Sequence, residues 1–396
     1  MSLATLRAEI DVLDEALVRT LARRFAVCRD VAEFKARTAT PMMQPQRVTL
    51  VKQRAAARAH RYGLPEEFVA HLYDAMVAAI CAMEDELIAA LASAPQAAPV
   101  FVGGEDRSGT TLVSVVLDAH RDLVVGPELD YLLPVDLGPH LRECCRLLKA
   151  DDPRVAGVGV HTADPAYAAG VQLARQADRF GVDHARLDEL VAATMRRTGS
   201  DLVTHDQRLA LIEAMGRVRC ADSGKRRWGV KIQRGISQPQ ALVDRWPEAK
   251  FVHVVRDGRD VAASHLRGQR DWGYRSAAEA ATGWVEVVTA VRGALSYDHL
   301  HEIHYEDLVA QPERELRRLM AFLDLPWDPA VLHHSEVGHA LFRHPHGHPS
   351  AQAAQQPING GAVGRFRRDL SPVERAEFET IAGELLHQYG YEEVDR

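Results

Sequence analysis

The chain has 396 residues, of which 46% are hydrophobic and 26% charged, and its formal net charge is −7. This length exceeds one ordinary compact domain, and the balance is that of a soluble globular protein with enough apolar residues for more than one core. The acidic excess argues against a general nucleic-acid or membrane-surface binder, which would carry a basic one; local basic clusters remain free to hold small anions.

The opening stretch, MSLATLRAEIDVLDEAL, carries charges through its apolar positions and reads as neither a signal peptide nor a membrane span. The five cysteines, Cys28, Cys81, Cys144, Cys145 and Cys220, form no CxxC pair and are odd in number. They read as reduced thiols of a cytoplasmic protein, with no disulfide frame and no metal site. Residues 3–38 predict one long amphipathic helix, because Leu6, Ile10, Leu13, Leu17, Leu21 and Phe25 recur at three- and four-residue steps. Pro41 and Pro45 break it. A second helix is expected from about Val48 to Arg61, stopped by Gly63, and a third from Glu66 to Leu91 after Pro65. Residues 1–91 thus read as an all-α domain of three helices. Residues 92–99, in the uncharged stretch ALASAPQAAP, read as a linker.

From residue 100 to 396 the texture changes to a second, α/β domain. PVFVGG is a short apolar run ending in glycines, the mark of a buried strand, and LVSVVLDAH follows as a helix. FVHVVRDG repeats the strand-and-turn form, and between Leu129 and Arg227 the chain is mostly helical. Strands alternating with helices imply a parallel sheet.

The turn between the first strand and its helix is Gly103-Gly104-Glu105-Asp106-Arg107-Ser108-Gly109-Thr110-Thr111. Its glycines let successive N–H groups converge, and the following helix N-terminus adds partial positive charge, so the segment suits an anion. Arg107 supplies a cation, and Ser108, Thr110 and Thr111 supply hydroxyls. A Walker-type loop would need a Lys before its last hydroxyl residue, and none is present; a nucleotide kinase and a ligand-free turn are the competing readings. In KFVHVVRDGRDVAAS, Arg256 follows a buried strand and Ser264 lies on the next helix, where the two can share a second phosphate. Alone, that turn also reads as a solvated charge cluster.

Taken together, RSGTT and VRDGRD make Val100–Arg368 resemble the sulfotransferases that use 3′-phosphoadenosine 5′-phosphosulfate (PAPS), and RSGTTLVSVVLDAHRDLVVGPE is similar to the tyrosylprotein enzymes and their bacterial relatives. The resemblance implies a P-loop-like α/β fold with a parallel sheet and no metal. By position, it implies that Arg107, Ser108, Gly109, Thr110 and Thr111 bind the 5′-phosphosulfate and that Arg256 and Ser264 bind the 3′-phosphate. It makes Glu128 the general base, Lys231 the cation near the bridging oxygen, and Tyr305 a contact of the nucleotide. Arg365, with Arg367 and Arg368 in GRFRR, belongs to the late basic patch over the cofactor. Two departures stand out. Glu105 and Asp106 place carboxylates before the cradle and are expected either to point away from it or to pair with cations such as the late arginines, and Gly364 replaces a serine of the tyrosylprotein enzymes.

In the helical domain, Arg7, Arg24 and Lys35 fall at about 0°, 260° and 280° around the first helix, and Arg47 precedes the second. Spacing alone favours solvated charges; convergence on a dicarboxylate is the alternative. LRAEIDVLDEALVRTLARR with VAEFKAR, PQRV and YGLPEEFVAHLY is similar to the AroQ-type chorismate mutases, most of all to the isochorismate-pyruvate lyases and aminodeoxychorismate mutases. That resemblance implies intertwined dimers in which Arg7 crosses to the partner's pocket while Arg24, Lys35 and Arg47 hold the carboxylates and ether oxygen. Glu84 stands where many relatives have Gln, and would donate to the ether oxygen only when protonated. Val48 replaces a frequent Glu, leaving chorismate, isochorismate and aminodeoxychorismate open.

The combined expectation is a homodimeric, bifunctional biosynthetic enzyme acting on small molecules, with PAPS as donor and PAP as product, and with no nucleic-acid or membrane partner. Its alternative is a sulfotransferase whose helical domain only dimerises or binds a ligand. A peptide tyrosine sulfotransferase is a third reading, with Arg226, Arg227 and the His-rich run 333–348 contributing to a basic groove.

Overall fold

The computed structural model describes residues 2–38, 45–93, 98–129, 137–156, 158, 164–199, 201–268, 273–343 and 350–391. The chain divides into two compact units, Met1–Gln96 and Ala97–Arg396. No helix among the described residues is long and apolar enough to cross a membrane.

The first unit is three helices: α1 (Leu3–Thr38), α2 (Pro45–Arg61) and α3 (Glu66–Ser93). α1 ends before Pro45, as expected, and α2 starts at that proline rather than near Val48, because at the first helical position its missing N–H costs nothing and its fixed φ suits a helix start. α3 packs against both α1 and α2. Ala55, Ala59 and Val69, with Tyr73 against them, form a small core. Much of the apolar stripe of α1 stays in water within one chain, with Ile10 55%, Leu13 62% and Leu17 54% exposed.

The second unit is built on a parallel sheet in the order β2-β3-β1-β4-β5. The strands are β1 (Val100–Gly103), β2 (Leu123–Glu128), β3 (Arg227–Gln233), β4 (Lys250–Val255) and β5 (Leu300–His304). Both faces are covered. Phe101 and Phe251 point into one core, Val100, Val102, Val252 and Val254 into another, as the two-residue period of a strand demands. The helices follow in chain order: α4 (Thr110–Asp118), α5 (Gly138–Lys149), α6 (Pro165–Phe180), α7 (His184–Thr198), α8 (His205–Ser223), α9 (Gln240–Arg245), α10 (Gly258–Leu266), α11 (Ala277–Ala294), α12 (Tyr305–Ala310), α13 (Pro312–Phe322), α14 (Ala351–Ala354), α15 (Phe366–Asp369) and α16 (Pro372–Gln388). The helical stretch expected after Leu129 is α5–α8. From central β1 the connections run outward in opposite directions, which opens a crevice at the carboxyl ends of the strands.

Candidate active site

The loop leaving β1 is shaped by places where no side chain fits. A Cβ on Gly104 (φ +148) would lie 2.4 Å from the Val254 carbonyl, and one on Gly109 (φ +103) would lie 2.7 Å from the Tyr305 ring. Arg107 itself takes a left-handed φ of 73°, uncommon for a residue with a Cβ. The loop ends in α4, with Thr110 and Thr111 buried in its first turn. Ser108 is 1% exposed and its hydroxyl has no hydrogen-bond partner. An orphaned buried hydroxyl in a glycine-shaped cradle at a helix N-terminus fits an anionic oxygen.

Arg256 follows β4 and is 5% exposed. Its guanidinium donates to the Arg107 carbonyl (3.2 Å), the Asp260 carboxylate (3.3 Å) and the Ala362 carbonyl, lies over the Tyr305 ring (4.7 Å), and keeps a buried Nε with no partner. Arg107 Nε donates to Ser264 Oγ (3.0 Å) and Nη1 to Ser350 Oγ (2.6 Å). The fold thus brings Arg107, Arg256, Ser264 and Tyr305 into one cluster. Asp260 accepts from the Gly364 and Phe366 N–H groups (2.8 and 2.9 Å) and so fixes the GRFRR segment. Of its arginines, Arg365 lines the cavity and pairs with Asp369 (2.8 Å), whereas Arg367 stacks on Phe366 and Arg368 is an exposed partner of Asp369.

Glu128 and Lys231 are set side by side by strand pairing. They are Cα partners across β2 and β3, beyond a register shift between Gly126 and Glu128. Pro127 occupies that irregularity, having no N–H to give the ladder. Lys231, 2% exposed, lies 3.1 Å from Glu128 Oε2 and donates to Thr111 Oγ1 (3.2 Å). Gln233 donates to the same Glu128 oxygen at 2.6 Å. The sequence reading missed Gln233, although its place two residues beyond Lys231 on one strand puts both side chains on the same face.

Of the two acidic residues of the loop, Glu105 has the cation partner expected of it, though a different one. Glu105 pairs not with a late arginine but with Arg234, just past β3, and also accepts from Tyr274 (3.1 Å) and the Asp106 N–H (3.0 Å). Its burial raises the carboxyl from 4.5 to about 7, against the pull of Arg234. Burial likewise pushes Asp106 up, against the opposing charge of Lys231. For Glu105 the folded state favours the protonated form, so its stabilisation is complete below pH 4.5 and is lost as the pH rises through about 7. Glu105→Gln should therefore gain stability relative to the parent across that window, by up to about 3 kcal/mol. Melting curves from pH 4.5 to 8 check this, and a constant difference between the two proteins would refute it.

Arg107, Thr111, Glu128, Lys231, Arg256 and Tyr305 line a cavity of about 800 Å³. Its far wall is a part of α6 that sequence reasoning did not single out: Gln172, Arg175, Gln176 and Arg179. The residues proposed for a basic peptide groove lie elsewhere. Arg227 is buried and donates to the Leu323 carbonyl (2.6 Å), Arg226 is exposed near Asp122, and His334 and His339 are buried on the carbonyls of Ala354 and Val125. Residues 344–349 of the His-rich run lie outside the described residues. In the first unit, Glu84 is 6% exposed and Arg24 keeps a buried, unpartnered Nη1. Arg7 and Arg47 are exposed, and the Lys35 side chain lies outside the described residues.

The sulfotransferase family model matches residues 99–329, and the chorismate mutase type II model matches residues 6–85. Over 83 residues the chain is 47% identical to the 4-amino-4-deoxychorismate mutase of Streptomyces venezuelae, covering 21% of this chain and 81% of that one. Over 243 residues it is 27% identical to protein-tyrosine sulfotransferase 1 of Danio rerio, covering 60% of this chain and 56% of that one. The Drosophila melanogaster protein-tyrosine sulfotransferase is 24% identical over 279 residues, 67% of this chain and 46% of that one. The chain therefore spans about half the length of these two sulfotransferase relatives. Among solved structures, the sulfotransferase domain of the Synechococcus PCC 7002 olefin synthase shares the fold, with a TM-score of 0.50 and 21% identity over 76% of this chain and 98% of that domain.

Proposed function

Because this chain belongs to the sulfotransferase family, with type II chorismate mutase helices ahead of that domain, we propose that it transfers a sulfuryl group from PAPS to a hydroxyl of a small aromatic metabolite and that its helical unit rearranges a chorismate-type acid. The observation that carries the first part is the meeting of Glu128, Lys231 and Thr111 within 3.1–3.2 Å beside the glycine cradle. When bound, PAPS supplies the activated sulfuryl group. The cradle from Arg107 to Thr111, with its orphaned Ser108 hydroxyl, would hold the 5′ end. Arg256, Ser264 and Tyr305 would hold the 3′-phosphate, with Arg365 over it.

This chain's residues then do three things. Glu128, one oxygen fixed by Gln233 and Lys231, takes the acceptor's proton with the other. Lys231 and Thr111 offer donors where negative charge grows on the departing oxygen. The arginines and α4 amides hold the anion in line, so the chemistry asks for no metal. Transfer of sulfur-35 from labelled PAPS to a panel of phenols tests the reading; absence of both transfer and PAP binding would refute it.

The chorismate-type rearrangement is pericyclic and requires positioning rather than acid or base. The buried, unpartnered Arg24 Nη1 supports an anion pocket in the helical unit, and the exposed apolar stripe of α1, with exposed Arg7 on the same helix, supports assembly with a second copy. Consumption of 4-amino-4-deoxychorismate and of chorismate is expected, and Arg24→Ala should lower it by about 10²-fold or more, with sulfuryl transfer unchanged and a dimer still seen in sedimentation. Should the variant instead fall to monomer, or should neither acid be consumed by the parent, the helical unit is an assembly module.

A further inference from the structure

The far wall of the cavity is basic without being needed for the donor. Arg175 and Arg179 stand one turn apart on α6, on the face that lines the cavity with Glu128. Arg175 is fixed but not neutralised, since its two Nη atoms donate to the Val158 and Val155 carbonyls (3.0 and 2.7 Å). Arg179 has no ion pair among the described residues. Burial pushes its guanidinium down, as does the neighbouring Arg175 charge, and the acids that oppose them are Glu128, the proposed base, and Asp178. The helix is held hard against the sheet at this point. A Cβ on Gly126 would lie 2.1 Å from the Phe180 ring, so the backbone of β2 and the end of α6 touch directly. That contact joins Phe180, beside Arg179, to Gly126, two residues before Glu128.

Two partly buried guanidiniums facing one cavity are costly unless an anion joins them. On the sulfotransfer reading, we propose that the acceptor is a small hydroxy acid, whose carboxylate is held by Arg179 with Arg175 behind it while its hydroxyl lies at Glu128. A carboxylate is the match because it takes two parallel hydrogen bonds from a guanidinium. The size follows from the cavity: 800 Å³ lies within the range of a single small-molecule pocket, about 300–1,000 Å³, and donor and acceptor share it.

The test is calorimetric binding of 4-hydroxybenzoate, 4-hydroxyphenylacetate and 3-(4-hydroxyphenyl)propionate, each against its methyl ester, with and without saturating PAP. At least one acid should bind about 10- to 100-fold more tightly than its ester. Arg179→Gln should abolish that preference while leaving PAP affinity within about threefold, and Arg179→Lys should restore part of it. PAP binding reports separately on the sulfotransfer reading, and the acid–ester comparison decides this proposal either way. Equal binding of acids and esters, no binding of any acid, a preference unchanged in Arg179→Gln, or tight binding confined to acidic tyrosine peptides would each overturn it.

Discussion

Glu128→Gln is expected to slow sulfuryl transfer by about 10²- to 10⁴-fold, with PAP affinity within a few-fold of the parent. The amide is nearly isosteric, and its oxygen can still accept from Gln233 and Lys231, which meet Glu128 Oε2 at 2.6 and 3.1 Å. The strand geometry is therefore kept and the basic lone pair is lost. Affinity is spared because Glu128 stands at the end of β2, whereas the cradle belongs to β1 and α4. Single-turnover transfer and PAP titration, measured on one preparation, separate the two effects. A rate within about threefold of the parent would remove Glu128 from the role of base.

Arg256→Ala is expected to weaken PAP binding by about 10²-fold or more, since charge-assisted hydrogen bonds to a phosphate contribute about 1.5–3 kcal/mol each. A second effect accompanies it. Asp260 is fully buried and keeps only the N–H groups of Gly364 and Phe366 once Arg256 is gone, so the ligand-free protein also loses stability, by about 3–5 kcal/mol if the carboxylate stays charged. Arg256→Lys restores charge without the fork that reaches Arg107, Asp260 and Ala362 together, and should recover only part of either loss. Calorimetry with PAP and a thermal melt without it read the two effects apart. An unchanged affinity would place the 3′-phosphate elsewhere.

Where local chemistry is strong the sequence is readable, and the active-site cluster shows why. Gly104, Arg107 and Ser108 declare an anion cradle through residue type, β1 declares itself through an unbroken apolar run, and β4 through a run interrupted only by His253. β2, β3 and β5 do not. LVVGPE contains Gly and Pro, RWGVKIQ carries buried Arg227 and Lys231, and LHEIH is half polar; each is a strand because its neighbours pair with it. The partner of Glu105 was hidden for a similar reason: Arg234 lies 129 residues away and comes close only because β3 runs beside β1. The polar stripe Gln172, Arg175, Gln176 and Arg179 has the spacing of an ordinary solvent face, and it lines the cavity because α6 packs on its neighbours, Phe180 against Gly126 among those contacts.

Arg256 has one more consequence. Its single guanidinium bridges the loop at Arg107, the helix at Asp260 and the late segment at Ala362, pieces 149, 4 and 106 residues from it in the chain. Such a hub makes their loosening a shared event. When the loop carbonyl lets go, the same side chain is freed to release the late segment, so the two flanks of the crevice breathe as one cooperative unit and a ligand that steadies either flank steadies both.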